Sequence, residues 1–132
     1  MEIRQTLKKR MEGVEASGLG RFYKNASEGE VVFSADLESG TLDVYVDGFT
    51  YKQGSETGKV GFSEVLSIVS CLTAQLFSSA GQSGKLEFYL PLDVKCKGRD
   101  LSLFLPFLSC SRVMIVLVEF RERWEEGFLS VR

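Results

Sequence analysis

The chain has 132 residues, 44% of them hydrophobic and 26% charged, which is too apolar for a disordered chain and the size of one domain. Its formal charge of −2 and sequence pI of about 5.3 exclude a surface drawn wholesale to phosphate backbones, so nucleic acid is not an expected partner. It has no histidine, which removes the commonest general base near neutral pH and the commonest metal ligand.

Residues 2–12 carry Ile3, Leu7 and Met11 at i, i+4 and i+8, a narrow apolar stripe that predicts a short, loosely packed helix. Gly13, Gly18 and Gly20 interrupt it, and Asn25-Ala26-Ser27-Glu28-Gly29 reads as a loop. A first strand follows over Val31 to Leu37. Glu38-Ser39-Gly40 turns the chain, after which Leu42, Val44 and Val46 point one way and Asp43, Tyr45 and Asp47 the other.

Asp47-Gly48 permits a tight turn, Phe49 and Tyr51 share a face, and Gly54-Ser55-Glu56-Thr57-Gly58 reads as a flexible loop before Val60 and Phe62 resume the sheet. Ser63 to Ala80 fits two periods. Val65, Val69, Leu72 and Leu76 make a helical stripe, whereas Val60, Phe62, Leu66 and Ile68 keep strand parity. Its serines, threonine and β-branched residues favour strand over helix.

Leu86, Phe88, Leu90, Leu92, Val94 and Cys96 fall on one parity, and Leu101, Leu103 and Leu105 repeat it beyond Gly98, which predicts a hairpin with a buried inner face. The last element is a helix over Ser111 to Glu126. Ser111 is its expected N-cap, Val113, Val116, Leu117, Phe120 and Trp124 form its apolar stripe, and Gly127 ends it. Arg112, Glu119, Glu122, Arg123 and Glu126 make the wet face of a helix expected to lie across an open end of the sheet.

The expected organisation is one domain over 1–132, with an N-terminal helix and linker (1–20), a strand meander (21–108) and a C-terminal helix (109–127). The fold class is α+β and mainly β: a bent antiparallel sandwich or partly open barrel of about six or seven strands capped by the C-terminal helix. Met1-Glu2-Ile3-Arg4 lacks the apolar core of a signal peptide, and the apolar run Val113 to Val118 is far short of the ~20 residues that span a bilayer. A cytoplasmic protein without a transmembrane segment is expected.

Reactive chemistry finds little support. Glu28/Glu30, Asp43/Asp47 and Glu125/Glu126 lie on expected wet faces, where carboxylates are solvated. Cys71, Cys96 and Cys110 have no metal-ligand spacing and an odd number suits no disulfide framework, so they read as buried thiols in a reducing compartment. Cys96 lies between Lys95 and Lys97, but strand geometry aims those lysines at the other face. Gly54, Gly58 and Gly61 are not followed by the Gly-Lys-Ser/Thr of a phosphate loop. No catalytic residue, metal or cofactor is assigned.

Lys95, Lys97 and Arg99 form the one candidate binding set, because i, i+2, i+4 spacing on a strand places three cations on one outer face. Such a row can hold a phosphate, a lipid head group or an acidic segment. It also serves as a solvated edge that discourages sheet-to-sheet aggregation.

The run Leu42-Asp43-Val44-Tyr45-Val46-Asp47-Gly48-Phe49-Thr50-Tyr51, then Val60-Gly61-Phe62-Ser63-Glu64-Val65-Leu66-Ser67-Ile68-Val69, resembles the middle strands of pleckstrin-homology-like domains. Lys97-Gly98-Arg99-Asp100-Leu101-Ser102-Leu103 and the closing helix extend the resemblance over about residues 31–126. It implies a non-enzymatic module that docks a protein or peptide through a sheet edge or the groove beside the helix. Relatives that bind phosphoinositides or other anionic lipid carry basic residues in the first hairpin, where this chain has Glu28, Glu30 and Glu38.

An acidic chain with helices at both ends, strands between them and Phe120 and Trp124 near its end also looks like the class I type III secretion chaperones of bacteria. That resemblance implies a helical middle segment and a homodimer that wraps an extended effector segment.

Overall fold

The computed structural model describes residues 5–27, 29–70 and 89–126. The chain runs α1 (Gln5–Ala16), β1 (Gly20–Phe22), β2 (Phe33–Leu37), β3 (Gly40–Val44), β4 (Gly48–Gln53), β5 (Glu56–Gly61), a 3-10 turn (Phe62–Glu64), β6 (Val65–Ser70), β7 (Tyr89–Cys96), β8 (Arg99–Pro106) and α2 (Phe107–Glu126). It is mainly β, with two antiparallel sheets, ordered β1-β2-β3-β4-β5 and β6-β7-β8, that do not close into a barrel. Among the described residues no helix is long and apolar enough to cross a membrane.

The first sheet follows the alternation of its sequence. Leu42 pairs with Tyr51 and Val44 with Phe49, and all four side chains are buried. The expected flexible loop 54–58 is shorter than its composition suggests: Gln53 already pairs with Glu56, and Gly58 lies in β5 opposite Tyr51. Gly54 takes φ +62°, a left-handed conformation that glycine adopts without the Cβ penalty.

β6 covers Val65–Ser70, as strand. The rest of the ambiguous segment, with Cys71, Leu72 and Leu76, and the expected strand positions Leu86 and Phe88 lie outside the described residues. Phe62 starts the 3-10 turn instead of continuing the sheet. The β7–β8 hairpin closes on Cys96 opposite Arg99, with Lys97-Gly98 as its two-residue loop.

Both helices differ from expectation in length. α1 runs through Gly13 to Ala16, which adds Val14 to the stripe, and Leu7, Met11 and Val14 are all fully buried; the helix is an integral layer of the core. α2 starts at Phe107 and contains Ser111 within it. Cys110, fully buried, carries the stripe of Val113, Leu117 and Phe120 one turn earlier. The Trp124 side chain and Gly127 lie outside the described residues.

α2 packs on α1 and across β6, β7 and β8. Phe120 stacks on Phe62 with ring centroids 5.8 Å apart, and Phe62 meets Phe49 at 6.2 Å. One aromatic chain thus links helix, 3-10 turn and first sheet, and one contiguous cluster of buried side chains spans both sheets and both helices. The expected wet face is only partly wet, since Glu119 is 15% exposed and receives Arg123 at 3.4 Å and Arg10 at 3.7 Å.

Candidate functional site

The β7–β8 tip is anchored by Glu64. Its carboxylate accepts the Gly61 N–H at 3.1 Å and meets Arg99 at 3.4 Å, while its backbone carbonyl accepts the Lys97 N–H at 2.9 Å. The Arg99 guanidinium also donates to the carbonyl of Lys59 on β5, so Arg99 ties the second sheet to an edge of the first.

This anchoring breaks up the basic row. Because the chain reverses at Lys97-Gly98, Arg99 stands opposite Cys96 and Lys95 opposite Asp100. Directly opposed residues of an antiparallel pair share a face and neighbours along a strand alternate, so Arg99 and Lys95 take opposite faces. The parity that predicts one face holds only along an uninterrupted strand. Lys95 and Lys97 are exposed.

Cys96 is buried on the inner face. Burial pushes its thiol above the ordinary value, Glu64 adds to that, Arg99 opposes it and Asp100 raises it further. A thiol held neutral is a weak nucleophile. Cys110 is also buried. Among the described residues, no group of three or more Cys, Asp or Glu is placed to hold a metal ion.

The more distinctive surface is the outer face of the second sheet. Leu90, Leu92, Val94 and Cys96 of β7 and Leu101, Leu103 and Leu105 of β8 point inward and are buried, so Tyr89, Pro91 and Phe104 point outward. Pro91 pairs with Phe104, Tyr89 with Pro106, and Val69 of β6 with Asp93. Leu66 projects at a register shift between Val65 and Ser67. Leu66, Val69, Tyr89 and Phe104 are 55%, 47%, 43% and 37% exposed. Of the exposed large apolar side chains among the described residues, only Tyr23 lies elsewhere.

Toward its charged end this face is ordered by Ser102, whose hydroxyl donates to Asp93 at 2.7 Å. Sequence reasoning missed these outward apolar residues because it assigned each strand one apolar parity. The available signal was the apolar residues out of phase: Phe104 between Leu103 and Leu105, and Leu66 beside Val65.

Comparison with protein-family models, curated proteins and solved structures finds no match to this chain.

Proposed function

We propose that the protein is a non-enzymatic docking module of the pleckstrin-homology-like kind, acting in the cytoplasm and holding a partner protein on the outer face of β6, β7 and β8. The observation that carries this reading is the clustering of Leu66, Val69, Tyr89 and Phe104 on one three-stranded surface. Single exposed apolar residues are normal on a protein surface, but several gathered on one sheet face among polar groups mark an interaction site. Asp93, opposite Val69, and Lys95, opposite Ser67 beside Leu66, are those polar groups, with Asp100 and Ser102 next to them on β8. The meander closed by a C-terminal helix and the strand at 65–70 support the resemblance.

An anionic head group is the weaker ligand under this reading. Arg99 is engaged by Glu64 and the Lys59 carbonyl, which leaves Lys95 and Lys97 to hold a phosphate.

The second reading is a homodimeric chaperone of the class I type III secretion kind. The depth at which α1 is buried against α2 favours it, since a helix so deeply packed is part of the fold and not an appendage to a sandwich.

Photo-crosslinking tests the proposal. A benzoylphenylalanine at position 104 should give a discrete adduct in a lysate of the source cells, and one at exposed Thr41 should not. Adduct mass separates a partner protein from a second copy of this 14.7 kDa chain. The absence of an adduct at position 104, or the same adducts from both positions, contradicts the proposal.

A further inference from the structure

α1 ends in a tightened turn, in which the Ser17 and Gly18 N–H groups donate to the carbonyls of Val14 and Glu15. Arg112 of α2 donates to the Gly13 carbonyl at 3.3 Å. Beside this contact a cleft of about 370 Å³ opens between the two helices, lined by Thr6, Lys9, Arg10, Gly13, Arg112 and Ile115.

The charges around the cleft are unbalanced. Among the described residues its lining has three cations and no carboxylate, on a chain whose net charge is negative. Glu119 is shared between Arg10 and Arg123, and Glu12 pairs with Lys24. Gly13 is costly for the fold, since glycine inside a helix loses about 0.5–1 kcal/mol against alanine. Packing does not require it: a Cβ there would meet nothing within 4 Å.

We propose that this cleft binds an acidic peptide segment. Its carboxylates meet Lys9, Arg10 and the free N–H groups of Arg112, an aliphatic side chain rests on Ile115, and its main chain approaches α1 at Gly13. The apolar floor favours a peptide over a bare phosphate, which makes no use of aliphatic contact. The cations stand on two walls instead of converging on one point, which suits successive carboxylates. This site is separate from the outer face of the second sheet, and either can fail without the other.

The test is fluorescence polarisation of the full chain with a short labelled peptide alternating glutamate and leucine. Binding should weaken with added salt. Lys9→Glu with Arg112→Glu should weaken it about tenfold or more, as expected for losing charge-assisted contacts. Gly13→Leu should abolish binding by filling the cleft, whereas Gly13→Ala should raise the melting temperature and retain part of the binding. If the charge reversals unfold the chain, Lys9→Ala with Arg112→Ala gives the same reading. Four results would overturn the proposal: no binding by the parent; an equal loss with Lys95→Glu and Lys97→Glu, far from the cleft; unchanged binding in Gly13→Leu; or equal binding of inorganic phosphate or anionic vesicles at the same residues.

Discussion

The side chain of Gln53 extends the ladder of the second sheet by accepting the backbone N–H of Phe104 on Oε1 at 2.8 Å. Its Nε2 donates to the carbonyl of Ser102 at 3.0 Å, so one carboxamide occupies the amide and carbonyl that flank Leu103, a pair another strand would otherwise use. The Phe104 carbonyl accepts the Glu38 N–H at 2.8 Å. The β8 edge is thereby joined to the ends of β2 and β4.

Gln53→Ala should lower stability by about 0.5–1.5 kcal/mol, toward the lower end because these bonds are exposed. Gln53→Glu should fall between parent and alanine variant, since its carboxylate still accepts from Phe104 but cannot donate to Ser102. Urea midpoints measured for the three proteins give the ordering directly.

Gly58 faces Tyr51 across β4 and β5, and a Cβ there would come within 2.7 Å of the tyrosine ring and hydroxyl. The ring lies over the glycine and shields backbone that has no side chain of its own. Gly58→Val should cost about 1–3 kcal/mol through overpacking, despite the higher strand propensity of valine. Combining it with Tyr51→Thr should recover part of the loss in thermal denaturation.

Arg99 and Lys95, equivalent in the linear sequence, should separate under mutation. Arg99→Ala removes the contacts to Glu64 and the Lys59 carbonyl and should cost about 0.5–1 kcal/mol for a half-exposed ion pair with a backbone bond. Lys95→Ala and Lys97→Ala should stay within about 0.5 kcal/mol of the parent. Equal losses from all three would contradict the separation of their faces.

Cys96 gives the fold a pH dependence. Its thiol titrates above the ordinary value, chiefly through burial and then through Glu64, so the folded state holds the proton more tightly than the unfolded chain. That contribution is fully present below the unfolded thiol's pKa of about 8.5, and it is lost as pH rises from there through the folded value. Stability measured from pH 7 to 10 should therefore decline, and Cys96→Ala should decline less steeply. At pH 7 iodoacetamide should alkylate Cys96 far more slowly in the folded protein than in urea.

The meander was legible because its inner face is apolar at every second residue: Leu42, Val44, Phe49, Tyr51, Leu90, Leu92, Val94, Leu101, Leu103 and Leu105 all face the core as their parity requires. The segment after Phe62 resisted reading for a physical reason. Val65 is buried, Ile68 is partly buried, and Leu66 and Val69 are exposed, and the register shift at Leu66 changes the parity midway. A strand apolar on both faces and bulged once imitates a helical stripe.

The ends of α2 and the basic row show a different limit. Ser111 carries a capping side chain, yet Cys110 extends the buried stripe and tertiary packing starts the helix at Phe107. Lys95, Lys97 and Arg99 share parity only while the chain stays straight, and Gly98, with φ +87°, bends it between them. The outer apolar face depends on which residues from three strands become neighbours, information that register supplies and spacing along one strand does not.

The proposed docking face is tested most directly by crosslinking from position 104 with Val69→Lys introduced across the same surface. Val69 is half exposed, so the substitution should shift the melting temperature by only a few degrees, as for a surface change of about 0.5 kcal/mol. The account predicts that the adduct formed from position 104 disappears while the fold is retained. An undiminished adduct in the folded variant would contradict it.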